Sequence, residues 1–359
     1  MPNKIEHIRD LFQVATECGA SDMIICVGQP PMIRVDGQLV PLDFEVLVPE
    51  RSKELCYQIM TESQQKALED NWETDFSFGL RELSRFRANV FMQRGAVSAA
   101  FRRIPMNIKT FDELNLPPIV QEMCEKPNGL ILVTGPTGSG KSTTLAAMID
   151  HINASRQQHI ITIEDPIEYI HRHKSCTIEQ REIYSDTKSF HAALKSVLRQ
   201  DPDVVLLGEM RDQESIQAAL TISETGHLCM ATLHTNSCSQ TLSRIVDVFP
   251  EGKQQQVRTQ LAMSLNAVLT QMLLPKIGGG VKLIMEIMIG TSAIKALIRE
   301  NKIHNIDNVI QTGSKWGMQS MNNALAEAVF DQDITEEDAF FASSDHDDLR
   351  MCLSRRDGF

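Results

Sequence analysis

The chain has 359 residues, 42% of them hydrophobic and 23% charged, which is ordinary for a globular protein of two or three domains. Its formal net charge of −12 argues against a general nucleic-acid-binding protein, because such proteins normally carry a basic excess. Its eight scattered cysteines include no C-x-x-C pair, which argues against a zinc ribbon or a redox pair and predicts reduced thiols.

Residues 1–104 carry the short, mixed elements of a small α+β domain. Apolar residues at helical spacing from Ile5 to Ala15 predict a first helix, with Gly19 as its stop signal. The pair Asp36-Gly37 stands between two apolar runs and predicts a two-residue hairpin turn. The proline-containing segment 105–118 is the predicted linker. The other predicted elements of this domain are helices at 52–60 and 63–71 and strands at 23–27, 75–80, 84–92 and 97–104.

Residues 119–290 alternate between strand and helix patterns, which predicts a parallel sheet with helices on both faces. A long amphipathic helix is predicted at 254–271, and residues 291–359 are predicted to be mostly helical. The expected fold class is therefore α/β, with a smaller α+β domain before the sheet and a helical region after it. The predicted strands are 130–134, 160–163, 204–207 and 228–233, and the predicted helices follow Lys141 and span 189–199 and 214–224.

An apolar strand, a glycine-rich loop and the start of a helix follow one another at 129–143. Gly135, Gly140, Lys141 and Ser142 fit G-x-x-x-x-G-K-[ST], the phosphate-binding loop. Glycines allow the tight turn that points N–H groups at a β-phosphate, and the helix N-terminus adds partial positive charge. We expect the Lys141 ammonium to contact the β- and γ-phosphates and the Ser142 hydroxyl to ligate Mg²⁺, so ATP and Mg²⁺ are the predicted cofactors. The predicted nucleotide-binding residues are Gly135, Pro136, Thr137, Gly138, Ser139, Gly140, Lys141, Ser142 and Thr143.

Two acidic residues follow buried strands of the predicted sheet. Glu209 comes after the run at 203–208, at the sheet edge where ligands bind, and is placed to act on Mg²⁺ directly or through its water shell. Glu164 comes after the run at 161–163 and is the candidate group that orients and polarises the attacking water. For each residue the alternative is a surface or turn acid without a catalytic role.

One histidine stands at each end of the predicted strand at 228–233. Residues seven apart on a strand are separated by about 23 Å, so His227 and His234 cannot share one metal ion without a bend. His234, at the carboxyl end, is a candidate to hydrogen-bond a phosphate or to sense its loss. His227 is a second candidate, with the alternative that it anchors the opposite end of the strand.

Two arginines, Arg87 and Arg102, are predicted to lie on the polar faces of strands in the first domain. Hydrolysis at a phosphate-binding loop often depends on an arginine supplied from outside the domain that carries the loop. The alternative is an exposed structural arginine, and the residues alone favour that interpretation for both.

Four sequence boxes, in this order, resemble those of one family, the type IV pilus retraction ATPases, which are PilT-like members of the type II/IV secretion ATPase superfamily. The phosphate loop resembles the family's Walker A motif, and residues 163–169 (I-E-D-P-I-E-Y) resemble its aspartate box. Residues 198–212 resemble its Walker B region, and residues 225–234 resemble its histidine box. Residues 21–37 and 85–96 are similar to the family's PAS-like N-terminal domain, so the resemblance covers nearly the whole chain.

The resemblance implies a homohexamer of RecA-like P-loop ATPase cores, each preceded by a PAS-like domain. It implies that Glu164 polarises the attacking water, that Glu209 supports Mg²⁺, and that Arg87 and Arg102 approach the nucleotide. It also implies a cytoplasmic protein held at the inner membrane through partners, chiefly the pilus platform protein. The implied divisions are a PAS-like domain at 1–104, a linker at 105–118, an ATPase domain at 119–290 and a helical region at 291–359.

A helical segment near the tail is similar to the family's A-I-R-N-L-I-R-E motif, which is tied to retraction. Lys295 and Ala296 replace the Arg and Asn of that motif, and lysine keeps the charge of arginine without its bidentate geometry. On a helix, Ile294, Leu297 and Ile298 share the buried side. The motif residues of this chain are Ala293, Ile294, Lys295, Ala296, Leu297, Ile298, Arg299 and Glu300.

The leading interpretation is an ATP-hydrolysing hexameric motor for type IV pilus retraction and twitching motility. The absence of the four-cysteine zinc element of the assembly ATPases favours retraction over assembly. One alternative is an accessory ATPase that acts beside a second retraction ATPase. The other is a RecA-like nucleic-acid translocase, which the acidic net charge disfavours, so we expect no nucleic-acid partner.

Overall fold

The computed structural model describes residues 6–35, 37–81, 83–105 and 107–354. They divide into two compact units, each with its own sheet and core. The first unit ends at Asn107 and includes the short segment Glu168–Ile170. The second unit consists of Ile108–Ile167 and the residues from His171 onward.

The first unit is built on a six-stranded sheet. Its elements are α1 (Ile8–Glu17), β1 (Asp22–Ile25), β2 (Met32–Val35), β3 (Gln38–Pro41), α2 (Pro49–Tyr57), α3 (Glu62–Asn71), β4 (Glu73–Leu80), β5 (Ser84–Gln93) and β6 (Ala96–Ile104). The strand order is β3-β2-β1-β6-β5-β4, and every neighbouring pair is antiparallel. Phe12 of α1 packs between aromatic rings of the sheet, 4.4 Å from Phe86 and 5.0 Å from Phe101 between ring centroids. This aromatic cluster fixes α1 on the sheet.

All the helices and strands expected in this unit are present, with ends that differ by up to three residues. The helix expected at 52–60 begins earlier, at Pro49, because proline is well accepted in the first turn of a helix. Val35 and Gln38 pair across the expected hairpin, and Gly37 has a φ of +82°. Asp36, the other turn residue, and Ile5 lie outside the described residues.

The second unit is built on a seven-stranded sheet with helices on both faces. Its elements are α4 (Phe111–Leu114), α5 (Pro118–Cys124), β7 (Gly129–Thr134), α6 (Lys141–Ser155), β8 (His159–Glu164), β9 (Thr177–Glu182), α7 (Phe190–Val197), β10 (Val204–Leu207), α8 (Gln213–Glu224), β11 (Leu228–Leu233), α9 (Cys238–Asp247), α10 (Glu251–Ser264), β12 (Leu265–Pro275), β13 (Val281–Ile289), α11 (Ser292–Arg299), α12 (Ile306–Gln311), α13 (Met321–Phe330), α14 (Glu336–Ala342) and α15 (His346–Ser354). The strand order is β13-β12-β7-β11-β10-β8-β9.

The central strands of this sheet are buried on both faces. Leu130 and Leu132 of β7 belong to one apolar core, whereas Ile131 and Val133 belong to the core on the opposite face. All six residues of β7 and of β11 are buried. Such strands read as continuous apolar runs, which is why the sequence identified them.

The helix expected at 254–271 is wrong beyond Ser264, where α10 ends. The chain turns at Leu265 into β12, which pairs in parallel with β7 and antiparallel with β13. Val268 and Leu269 point to opposite faces of the sheet and both are fully buried, an environment that a strand supplies and a surface helix does not. The sheet is therefore mixed rather than fully parallel, and its strands β9, β12 and β13 were not expected.

The segment expected as a linker, 105–118, contains the point between Asn107 and Ile108 where the two units divide. It also contains α4 and the first residue of α5. The helical region expected from residue 291 onward is present as α11 to α15. The domain boundaries proposed from the sequence stay a prediction.

The cysteine expectation is confirmed, since all eight thiols are free. Across the described ranges, the structure contains no helix with the length and apolar character that crossing a membrane requires.

Candidate functional site

The glycine-rich loop joins β7 to α6 and leaves the start of that helix open. Gly135, Gly138 and Gly140 have φ values of +139°, +82° and +87°, which are unfavourable for any residue with a Cβ. Gly140 is the N-cap of α6 and supplies no side-chain cap. The N–H groups of the first helical turn are therefore left to bind an anion, and the Ser142 side chain beside them is exposed.

The floor of the loop is formed by β12. A Cβ on Gly135 would lie 2.2 Å from the backbone oxygen of Gln271 and 2.6 Å from Ser139 Oγ, so only glycine fits. The Gln271 side chain donates from Nε2 to the Ser139 carbonyl over 2.7 Å. The unexpected strand thus supplies the surface on which the loop rests.

Lys141 is held inside the loop by the loop's own carbonyl groups. Its ammonium donates to Gly135 O over 2.8 Å and to Pro136 O over 2.9 Å, and the residue is only 8% exposed. Burial lowers the pKa of Lys141, and the negative charge of Glu209 opposes that shift. The backbone of the loop therefore fixes the position of this ammonium group.

His234 connects Lys141 to Glu209. Its Nδ1 lies 3.4 Å from Lys141 Nζ, and its Nε2 lies 3.3 Å from Glu209 Oε1. An imidazole that carries its proton on Nε2 satisfies both contacts, because Nδ1 then accepts from the lysine and Nε2 donates to the carboxylate. The expected placement of His234 at the carboxyl end of β11 brings it directly beside the loop lysine.

Glu209 is a partly buried carboxylate with cationic neighbours. Arg211 Nη2 lies 2.8 Å from Glu209 Oε2. Burial raises the pKa of the Glu209 carboxyl, but the hydrogen bond and charge of Arg211, helped by His234, outweigh burial and lower the pKa overall. Glu209 is therefore ionised near neutral pH and able to attract a cation or a polarised water.

Glu164 ends β8 and is almost completely buried. Its Oε1 accepts hydrogen bonds from Thr162 Oγ1 over 2.7 Å and from Gln180 Nε2 over 3.2 Å. Gly208 packs against it, since a Cβ on this glycine would lie 3.3 Å from Glu164 Cα. The small residue before Glu209 thus allows the ends of β8 and β10 to come close together.

The phosphate loop and the three side chains His234, Glu209 and Glu164 lie at the ends of four neighbouring strands, at one edge of the sheet. The consecutive order β7-β11-β10-β8 places the phosphate loop, His234, Glu209 and Glu164 side by side at the carboxyl ends of parallel strands. Ligands bind at this edge of parallel sheets. The structure therefore brings together the loop and three of the six candidate catalytic residues.

Of the other three candidates, one belongs to the opposite edge of this sheet and two belong to the first unit. His227 precedes β11 at the opposite edge, where its Nδ1 lies 3.0 Å from Thr225 Oγ1. Arg87 and Arg102 belong to the first unit, where they are directly opposite each other on β5 and β6. Arg102 Nε donates to Asp22 Oδ1 over 2.9 Å, and Arg87 is exposed.

The motif similar to A-I-R-N-L-I-R-E forms α11, as expected. Ile294 and Ile298 are buried, and Leu297 is half-buried. Lys295 Nζ donates over 3.4 Å to the carbonyl of Met263, near the end of α10. Burial lowers the pKa of Lys295, and the positive charges of Arg299 and Lys126 add to that effect. The lysine that replaces arginine therefore makes a local contact, while Arg299 stays exposed.

Three residues of the site were missed from the sequence: Gln271, Gly208 and Arg211. Gln271 follows three buried apolar residues, 267–269, and the buried Thr270, and an amide at the end of such a run was the available signal. Gly208 and Arg211 lie within two residues of Glu209, and this proximity to a candidate site residue was the available signal.

The oxygen donors at this edge suit Mg²⁺ bound together with phosphates. Ser142 offers an exposed hydroxyl and Glu209 an ionised carboxylate, and Mg²⁺ prefers oxygen ligands. The described residues contain no group of three or more His, Cys, Asp or Glu that holds a metal by itself. Magnesium sites that use few protein ligands usually obtain the others from substrate phosphates and water.

Comparisons with known proteins identify similar sequences over nearly the whole length of the chain. The family model described as Type II/IV secretion system protein matches residues 102–282. The Pseudomonas aeruginosa type IV pilus retraction ATPase PilT is 47% identical over 92% of this chain and 96% of its own length. The Pseudomonas aeruginosa type IV pilus ATPase PilU is 40% identical over 96% of this chain and 90% of its own length.

Solved structures show the same fold. The crystal structure of the pilus retraction motor PilT with bound ADP superposes with a TM-score of 0.91 at 50% identity, over 97% of this chain and all of that chain. The ATPase DotB of Legionella pneumophila superposes with a TM-score of 0.83 at 25% identity, over 95% of this chain and 97% of that chain.

We predict that Gly135→Ala lowers the unfolding free energy of the second unit by about 2–4 kcal/mol, since it adds backbone strain and a clash with Gln271 O. Gly252→Ala is the matched control, because Gly252 lies in α10 with open space around it, and it should be neutral or stabilise by up to about 1 kcal/mol. Urea unfolding in a Trp72→Phe background measures this, because Trp316 is then the single tryptophan. A Gly135→Ala protein within about 0.5 kcal/mol of its parent would contradict the close approach.

Proposed function

The chain belongs to the type II/IV secretion system protein family, and we propose that it is a homohexameric ATPase that drives type IV pilus retraction. The observation that supports this proposal most directly is the phosphate loop, whose lysine, Lys141, contacts His234, which in turn contacts Glu209. The chain that carries this loop is similar to PilT over nearly its full length. The work done would be pilus disassembly, which produces twitching motility.

The phosphate loop is the proposed nucleotide-binding element. Its backbone N–H groups and the α6 N-terminus supply donors and partial positive charge for the β-phosphate. Lys141, whose pKa is lowered by burial against the opposing charge of Glu209, adds its ammonium group for the β- and γ-phosphates. Ser142 and Glu209 would hold Mg²⁺, which neutralises charge that develops on the phosphate oxygens.

Glu164 is the proposed residue that orients and polarises the attacking water. Two side-chain donors, Thr162 and Gln180, fix its Oε1 and leave the carboxylate in one orientation. A fixed acceptor of this kind lowers the reorganisation that water attack requires. His234, between Lys141 and Glu209, is placed to change its contacts when the γ-phosphate leaves.

Arg87 and Arg102 are the proposed arginines that contact the nucleotide from the first domain in the hexamer. Their supporting feature is a shared exposed position on neighbouring strands, with Arg102 oriented by Asp22. An arginine of this kind stabilises transition-state charge and is worth about 10³–10⁵ in rate. His227 has no comparable contact with the site, and we propose for it only the anchoring of β11.

The proposed partners are further copies of this chain and the pilus platform protein of the inner membrane. The protein would then act in the cytoplasm, at the membrane through that partner. An accessory retraction ATPase is the second candidate, because PilU is 40% identical over 96% of the chain and Lys295 and Ala296 depart from the retraction motif. Loss of retraction on deletion of this gene alone, while a second homologue is present, separates a main motor from an accessory one.

We predict that Lys141→Ala abolishes ATP turnover in a folded protein, because the phosphates lose their buried cation. Glu164→Gln should slow turnover by about 10²–10⁴-fold and leave ATP binding intact, because the amide cannot accept a proton from water. Phosphate release measures turnover, and calorimetry measures binding.

Glu179→Gln is the matched control, an exposed acid on the neighbouring strand β9, and it should turn over ATP like the unmodified protein. Turnover near the unmodified level in Lys141→Ala would refute an ATPase centred on this loop.

We also predict that Arg299→Ala separates ATP hydrolysis from retraction. The bond that Gln255 makes to this residue uses the backbone carbonyl of Arg299, so α11 keeps its packing after the change. Cells carrying Arg299→Ala should accumulate unretracted pili while the purified protein still hydrolyses ATP. Arg350→Ala, an exposed arginine on α15, should retract normally. Normal pilus retraction in cells that carry Arg299→Ala would contradict a role of the exposed side of α11 in retraction.

A further inference from the structure

Gln271 contacts both ends of the phosphate loop. Thr270 pairs in register with Thr134, and their hydroxyl oxygens lie 2.8 Å apart, so Gln271 stands level with Gly135. Its backbone oxygen would lie 2.2 Å from a Cβ on Gly135, at the start of the loop. Its Nε2 lies 2.7 Å from Ser139 O, near the end of the loop, and would lie 3.3 Å from a Cβ on Gly140.

The bond to Ser139 determines where the next N–H points. In a planar trans peptide the carbonyl of one residue and the N–H of the following residue point in opposite directions. The Ser139 carbonyl is turned toward β12 by the Gln271 amide, so the Gly140 N–H must point away from β12. At the uncapped start of α6, this orientation would make the Gly140 N–H available to an anion bound by the helix N-terminus.

Fold stability alone gives a poor account of this glutamine. Gln271 is fully buried, and within the described residues its Oε1 has no hydrogen-bond partner. A buried polar atom without a partner costs free energy, so an apolar residue here would remove one unsatisfied group while creating another at Ser139 O. What the glutamine adds is control of the peptide between Ser139 and Gly140.

We infer that Gln271 is a positioning residue of the phosphate loop, which acts through the Ser139–Gly140 peptide to aim the Gly140 N–H at the nucleotide phosphates. The inference rests on the proposed nucleotide-binding function. Its consequence is that the affinity for phosphate depends on a strand outside the motif 135–143, through a single neutral amide.

The first test uses the full-length protein and magnesium–ADP, a ligand that is not consumed. Gln271→Met keeps the length and burial of the side chain but removes the donor, and it should bind magnesium–ADP about tenfold more weakly in calorimetry. Gln254→Met is the matched control, because Gln254 also donates from Nε2 to a backbone carbonyl in this unit, that of Phe249, between α9 and α10. It should bind like the unmodified protein.

The second test uses pH. Gln271→Glu places a carboxyl where the amide was, and burial raises the pKa of a carboxyl toward neutral pH. When deprotonated, it repels Ser139 O and the phosphates, and when protonated it donates to Ser139 O as the amide does. The quantity compared is the affinity of each variant for magnesium–ADP divided by that of the unmodified protein at the same pH. For Gln271→Glu this ratio should rise as the pH falls from about 8 to about 6, whereas for Gln271→Met it should stay constant.

Two results would overturn the inference: magnesium–ADP affinity of Gln271→Met within about twofold of the unmodified protein, or a Gln271→Glu ratio that does not change with pH. A purely structural role would change thermal stability without this pH-dependent recovery. The variant Lys141→Ala distinguishes a failure of this inference from a failure of the proposed nucleotide-binding function. If it too binds magnesium–ADP normally, the loop is not the nucleotide site and the proposed function itself fails.

Discussion

The convergence of four parallel strands at one sheet edge is the constraint on which the site depends. The order β7-β11-β10-β8 fixes the lateral sequence of the phosphate loop, His234, Glu209 and Glu164. Because these strands are buried along almost their whole length and are followed by polar residues, a register shift would draw those polar residues into the apolar core. The apolar core thus holds polar groups in place at its rim, and the loop glycines permit the close approach of β12 that completes the site.

A connected series of charged and polar groups spans this edge. Lys141, His234, Glu209 and Arg211 follow one another at distances of 3.4, 3.3 and 2.8 Å, with alternating ability to donate and accept. A charge brought to one end changes the electrostatic environment of each member, because they share a partly buried region. This arrangement links the phosphate-binding lysine physically to the carboxylate proposed for Mg²⁺, and so relates binding to hydrolysis within one unit.

Much of this could be predicted from the sequence, and the failures share a cause. Local signals were sufficient to predict the positions of the loop, Glu209 and His234 at the ends of strands, because each follows closely on an apolar run. The sequence predicts one amphipathic helix over 254–271, so β12 is missed, and its pairing with β7 is a long-range contact that no local period reveals. Gln271 was missed with it. Register across strands, which places Arg87 opposite Arg102, was equally inaccessible to local patterns.

The most direct test of the account is a crystal structure of the protein with Mg²⁺ and a non-hydrolysable ATP analogue. The account predicts the β-phosphate within the loop 135–143, contacted by Lys141, with the carboxylates of Glu164 and Glu209 no farther than one water molecule from the metal or the γ-phosphate. A triphosphate bound elsewhere, or carboxylates more distant than that, would contradict it.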